Sequence, residues 1–194
     1  MTQEELNKIL DAHEMWMSTG GKQGAKAVLN GENLDGLDLS NRTLNGASLK
    51  GASLNGASLY RASLKGASLK GASLEGAINV PYIPMVCPEE GAFVGWKKVD
   101  DYIIQLEIPQ DAKRSSATTR KCRCEYAKVL NILTLDGNNA DVSEVVNTNY
   151  KPVVTYKIGE IVRPDAWDDD RWHECSHGIH FFINRREAVD YKWL

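Results

Sequence analysis

The residue types able to do chemistry lie in the second half of the chain. Cys122 and Cys124 stand in C-x-C spacing, and His173-Glu174-Cys175-Ser176-His177 is followed by His180 three positions on. Cys122, Cys124, Cys175 and His177 offer the donor types of a tetrahedral zinc site. Structural zinc sites usually carry C-x₂₋₄-C knuckles on tight turns, whereas C-x-C on a strand aims two thiols at one face, where they act as small hydrophobes. We therefore expect no cofactor, with zinc as the alternative. Cysteine–histidine catalysis is a second reading, with Cys175 or Cys124 as nucleophile and His177 or His180 as base. His180 lies between Ile179 and Phe181, so alternation puts it on the opposite face, lining a pocket. No G-x-S-x-G elbow, H-E-x-x-H helix, Walker loop or G-x-G-x-x-G turn occurs. The expectation is a chain without catalytic activity.

Charge offers two further constellations. Lys113, Arg114, Arg120, Lys121, Arg123 and Lys128 face a single acid, Glu125, a local net of +5. Interleaved Ser115, Ser116, Thr118 and Thr119 could donate to phosphate oxygens, so Lys113, Arg114, Arg120, Lys121 and Arg123 are the candidate contacts for an anion or nucleic acid. A solvated loop is the competing reading and the favoured one. From Glu160 to Glu174 six acids meet Arg163 and Arg171, a net of -4, and Trp167 and Trp172 flank Asp168-Asp169-Asp170. Exposed aromatics among charges are common on protein-binding surfaces, which makes these five residues candidate partner contacts.

The elements that must position these groups fall into three segments, 1–31, 32–80 and 81–194. Thr2 and Glu5 form a T-x-x-E capping box, and Leu6, Ile9, Leu10, His13, Trp16 and Met17 follow at helical spacing up to Gly20-Gly21. His13 on that apolar stripe is expected to be packed and not functional. Leucines then recur every five residues from Leu34 to Leu74, with alanine two positions earlier from Ala47 to Ala72. A period of five fits neither a helix nor a strand. A coil fits if each quintet forms one short side, leucine and alanine point inward, serine and the residue after leucine point outward, and glycine eases the corner. Beyond Pro81, strands are expected at Ala92 to Val99, Tyr102 to Ile108, Cys122 to Leu133, Val153 to Val162 and Gly178 to Ile183. A helix should start at Asn184 and bury Ala188, Tyr191 and Leu194. This last segment reads as a compact, mostly antiparallel α+β domain.

Residues 32 to 76 closely match A-(D/N/S)-L-x-x, the pattern of the pentapeptide repeat proteins, and the chain resembles that family. The resemblance implies a mainly β fold: a short right-handed four-sided β-helix with four quintets per coil. Nine quintets make just over two coils, so the ends need covers, one of them the N-terminal helix. CPEEGAFVGWKKV, KRSSATTRKCRCEYAKVL and RWHECSHGIHFFINRREAVDY resemble a C-terminal domain found fused to such repeats in phages and bacteria, a family without an established activity. Some pentapeptide repeat proteins imitate DNA with long acidic solenoids. Here residues 32 to 76 carry four acids and five bases, a net of +1, so mimicry could use only the acidic stretch around Asp168.

The whole chain has 194 residues, 42% of them hydrophobic and 25% charged, and a formal charge of -3, too small to argue for nucleic-acid or membrane binding overall. MTQEELNKIL lacks the form of a secretory signal, and no apolar run of about 18 residues exists to span a bilayer. A cytoplasmic location follows, with the four cysteines as thiols or metal ligands. The function expected is a non-catalytic protein-binding module of phage or bacterial origin, an inhibitor of a host enzyme or defence complex in the manner of an anti-CRISPR protein. The alternative is an enzyme or a nucleotide- or nucleic-acid-binding domain in residues 81–194 with the repeats as scaffold. Quintets four apart stack, so Lys50 lies above Lys70, Asn45 beside Lys65 and Ser40 beside Tyr60. The partner-facing candidates there are Lys50, Tyr60, Arg61, Lys65 and Lys70. A symmetric homodimer through a solenoid end or the Trp193-Leu194 terminus is a further expectation.

Overall fold

Helix α1 (Gln3–Ser18) begins where the T-x-x-E pattern predicts. The Thr2 hydroxyl accepts the Glu5 N–H at 3.2 Å, and the Glu5 carboxylate accepts the Thr2 N–H at 2.7 Å, so two otherwise free donors at the helix start are satisfied. The computed structural model describes residues 1–148 and 153–192. Within it, Leu6, Leu10 and His13 are the buried face of α1, while Met17 is exposed. His13 is packed: its Nδ1 accepts the Ala27 N–H at 3.2 Å, its ring stacks on Trp16, and burial lowers its pKa, keeping it neutral.

In the repeat, parallel bridges join residues twenty apart: Val28 to Ser48 and on to Ser68, Asn33 to Ser53 and Ser73, Asp38 to Ser58 and Ile78, and Thr43 to Ser63. Four quintets separate each pair, so the chain returns above itself every twenty residues. The leucines at every fifth position from Leu29 to Leu59 are fully buried, with Ala47, Ala52 and Ala57 beside them. Leu64 and Ala67 are only partly covered, because among the described residues no bridge extends the Thr43–Ser63 pair by another coil. Corners take left-handed backbone: glycine supplies it at most, and Asn41 and Arg61, with φ of 60° and 55°, supply it at two.

The residue after leucine does more than point outward. Where it is Asn or Asp, its carbonyl or carboxylate oxygen accepts twice from the next coil. Asn55 Oδ1 takes the Ser73 hydroxyl at 2.5 Å and the Glu75 N–H at 3.2 Å, and Asn30, Asp35 and Asn45 repeat the arrangement. The helix finishes the edge of the first coil in the same manner. Gln3 Oε1 accepts the Asp38 N–H at 2.8 Å, its amide donates to the Asp38 carbonyl, and Glu14 accepts the Thr43 N–H at 3.2 Å and pairs with Arg42. Side chains of α1 thus occupy hydrogen-bonding positions that a preceding coil would fill.

Two compact units divide the chain, Met1–Pro84 and Met85–Leu194. The second is built from antiparallel sheets. Strands β1 (Phe93–Val99), β2 (Tyr102–Ile108), β5 (Ala127–Thr134) and β8 (Ile161–Val162) form one sheet in the order β1-β2-β5-β8, with a register shift between Gln105 and Leu106. β3 (Arg114–Ser116), β4 (Cys122–Cys124) and β9 (Ile179–Phe181) form a second, and β6 (Glu144–Asn147) pairs with β7 (Val154–Lys157). Ile104, Leu106, Val129, Ile132, Tyr156 and Phe181 lie in the main core. The only helix described in this unit, α2 (Arg185–Asp190), starts at an Asn184 cap and buries Ala188, with Tyr191 against the same cluster. The expected contribution of Leu194, like the Trp193-Leu194 dimer contact, lies outside the described residues. The expected α+β balance shifts toward sheet. The predicted strand from Cys122 to Leu133 is two strands, as is that from Val153 to Val162, which turns at Gly159 with φ of 86°. The fold is mainly β, with an N-terminal helix and pentapeptide repeats.

Candidate functional site

The local architecture is organised by Arg123, at the centre of β4 and 2% exposed. Its guanidinium donates to the carbonyls of Asp168 (3.1 Å), Asp170 (2.7 Å) and His177 (2.7 Å), tying the loop from Asp165 to His177 to the sheet. Trp167 lies over it at 5.1 Å from the ring centroid. Gly178 permits the approach: it has φ of 145°, and a Cβ there would come within 3.3 Å of both the Arg123 side chain and the Trp167 ring.

The acidic triplet is folded into the same loop. Asp168 accepts the Asp170 N–H and pairs with His173 at 2.9 Å, and Asp170 accepts the Trp172 N–H. The Ser176 hydroxyl, the Asp170 N–H and His173 hold the Asp168 carboxyl well below the usual range. Asp169 accepts from Trp167 Nε1 at 2.7 Å and pairs with Lys113 at 3.1 Å, and the Arg171 guanidinium lies over Trp172. Asp168, Asp170, Trp167 and Trp172 are partly buried in these contacts. Asx turns and aromatic–guanidinium stacking use the polar atoms and ring faces of these four locally, while Asp169 stays exposed.

The basic cluster divides between groups held inside the unit and groups left exposed. Arg114 donates to the carbonyls of Gly91, Pro109, Gln110 and Ala112, Arg123 is buried as above, and Arg120 pairs with Glu187 at 2.7 Å. Lys121 Nζ donates to Cys175 Sγ at 3.0 Å. Lys113 beside Asp169, Arg120 beside Glu187, and Lys128 remain exposed.

The cysteine set is not assembled either. Cys122 and Cys124 are buried, with thiols directed at the carbonyls of Arg120 and Ile179, while Cys175 is exposed. A hydrogen bond with Cys87 and burial push the Cys122 thiol up, and burial does the same to Cys124. All four cysteines are free, and among the described residues no group of three His, Cys, Asp or Glu could hold a metal ion.

A cavity of about 230 Å³ opens between these elements, lined by Lys97, Asn147, Tyr156, Cys175, His177 and His180 among others. His180 faces it as alternation predicted. Its Nε2 lies 3.2 Å from the Glu174 carbonyl, and burial together with the Lys97 and Lys121 ammoniums lowers its pKa to about 3, so it is a neutral ring. Asp165, also on the wall, is held below the usual carboxylate range by His177 at 3.1 Å. Lys97 was missed by motif reasoning, yet a signal existed: strand alternation places it with Gly95 and Val99 on the buried face of β1.

In the other unit, Lys50, Lys65, Lys70, Tyr60 and Arg61 are all exposed. The Arg61 guanidinium lies over the Tyr60 ring at 5.0 Å, so the interruption of the repeat stacks on itself.

Coils of stacked quintets followed by antiparallel sheets define a class, a pentapeptide-repeat segment joined to a separate β-rich domain. Pentapeptide repeats match in eight copies over residues 43–78. The model of a family of unknown function, DUF5758, matches residues 83–188, more than half of the chain, and the chain belongs to that family. No curated protein matches it. No helix among the described residues is long and apolar enough to cross a membrane.

Proposed function

We propose that this chain is a non-catalytic protein-binding module whose repeats, wound as a right-handed four-sided β-helix, present one basic wall to an acidic partner protein. The observation that carries the reading is the register of Lys50 and Lys70. The Gly51 N–H donates to the Lys70 carbonyl at 2.9 Å, which sets the two lysines one above the other on exposed wall, and among the described residues no carboxylate pairs with either. Like charges in register repel mildly, and an acidic partner relieves the repulsion. Tyr60 with Arg61 supplies an exposed aromatic–guanidinium pair of the kind that anchors protein interfaces, and Lys65 extends the positive charge. In the Asp168 stretch Asp168 and Asp170 are engaged within their own loop while Asp169 is exposed, so the basic wall of the repeats is the better-supported contact.

The setting in which such a module acts is the cytoplasm of a phage-infected or bacterial cell, as an inhibitor of a host enzyme or defence complex, consistent with four free thiols. Capture from a bacterial host lysate identifies the partner. The Lys50→Glu/Lys70→Glu double variant should then bind it at least tenfold more weakly, and unchanged affinity excludes this wall.

A further inference from the structure

The cavity beside Lys97 carries an assignment that stands apart from the repeats. The Lys97 side chain is 6% exposed and lines the cavity. Its ammonium donates to the His180 carbonyl at 3.2 Å and sits 5.8 Å from the centroid of the Tyr156 ring. Among the described residues no carboxylate pairs with it. An ammonium out of water with one acceptor and a ring face for company is under-neutralised, because burial removes hydration that only a counter-charge restores.

The rest of the lining narrows what that counter-charge can be. His180 is neutral, so it neither competes for an anion nor adds a second cation. Val154, Tyr156, Pro164 and Ile179 contribute apolar wall. Asp165 adds a negative charge, which disfavours a dianion, and among the described residues no glycine-rich turn of successive N–H groups lines the cavity in the manner of a phosphate-binding loop. We propose that this cavity binds a small organic monocarboxylate, its carboxylate on the Lys97 ammonium and its apolar body against Val154, Tyr156 and Ile179. Burial lowers the lysine to about 8, which leaves it mostly protonated at pH 7 and able to pair.

The full chain, titrated calorimetrically at pH 7 and constant ionic strength with acetate, butyrate, benzoate and inorganic phosphate, tests this. The expected result is one saturable site, tighter for butyrate and benzoate than for acetate, weakest for phosphate, and at least tenfold weaker in Lys97→Met. No saturable binding by any of the acids, equal affinity in the variant, or phosphate binding tighter than benzoate overturns the proposal. A measurement on the unaltered chain guards against a variant that fails to fold. Benzoate should slow acetylation of Lys97, read by mass spectrometry, without slowing that of exposed Lys50; equal rates at Lys97 with and without benzoate also overturn it.

Discussion

The two units meet the same need, pairing of polar groups between layers, by opposite means. In the repeat one small arrangement recurs: an Asn or Asp oxygen accepts a serine hydroxyl and a backbone N–H from the next coil, at Asn30, Asp35, Asn45 and Asn55. No single residue dominates. In the second unit single guanidiniums each gather several carbonyls, Arg114 four, Arg123 three and Arg185 two. The difference teaches that repetition distributes stability along the chain, whereas an irregular fold concentrates it, and the two kinds should respond differently to one substitution.

Arg123→Leu should have the largest effect. It orphans the Asp168, Asp170 and His177 carbonyls, and breaking a buried charged contact of this kind costs about 3–5 kcal/mol. Denaturant unfolding of the second unit measures it, and limited proteolysis should cut faster between 165 and 177. Unchanged resistance there would break the comparison. Leu54→Ala, at a fully buried position, should cost about 3 kcal/mol in the repeat unit, and Leu64→Ala, at its partly covered end, well under half of that by the same measurement.

Lys97→Met should stabilise. Burial lowers the native pKa from 10.5 to about 8, a difference worth up to about 3 kcal/mol. Because the native value lies below the unfolded one, the unfolded chain holds more protons between those limits, so the penalty is fully present below pH 8 and fades as pH rises to 10.5. The advantage of the variant in denaturant melts should therefore be greatest at pH 7 and shrink across that window.

Smaller effects sharpen the repeat side. Asn55→Ala loses two inter-coil hydrogen bonds and should cost about 1–2 kcal/mol, whereas Lys50→Ala, whose side chain makes none of these bonds, should stay within about 0.5 kcal/mol. Arg61→Gly should stabilise by about 1 kcal/mol, since Arg61 holds a left-handed corner that its neighbours give to glycine. A shift of the thermal midpoint in each variant checks the sign.

Legibility from sequence differed for the same reason. The coil was readable because every fifth residue obeys one steric rule, so the stacking of Lys50 on Lys70 and Asn45 beside Lys65 follows from counting alone. The inter-coil bonds of Asn45 and Asn55 were hidden, since pointing outward describes the Cβ and not the reach of the amide. In the second unit, strand β2 was read to the residue because Tyr102 to Ile108 is apolar and β-branched, while Arg114–Ser116 and Glu144–Asn147 were missed as short polar pieces held by their neighbours. Charge density pointed to a surface at Arg114 and Arg123, because nothing local in a sequence announces that a guanidinium will find buried carbonyls far along the chain. Lys97 was readable in principle from alternation, and was masked by the adjacent Lys98.

The helix at the start of the repeats has a consequence for assembly. Gln3 and Glu14 occupy edge groups of the first coil at Asp38 and Thr43. Stacked strands with both ends bare would add copies without limit. With those groups occupied by α1, neither a further coil nor the repeat of a second chain can hydrogen-bond to them, so stacking in that direction stops at the helix.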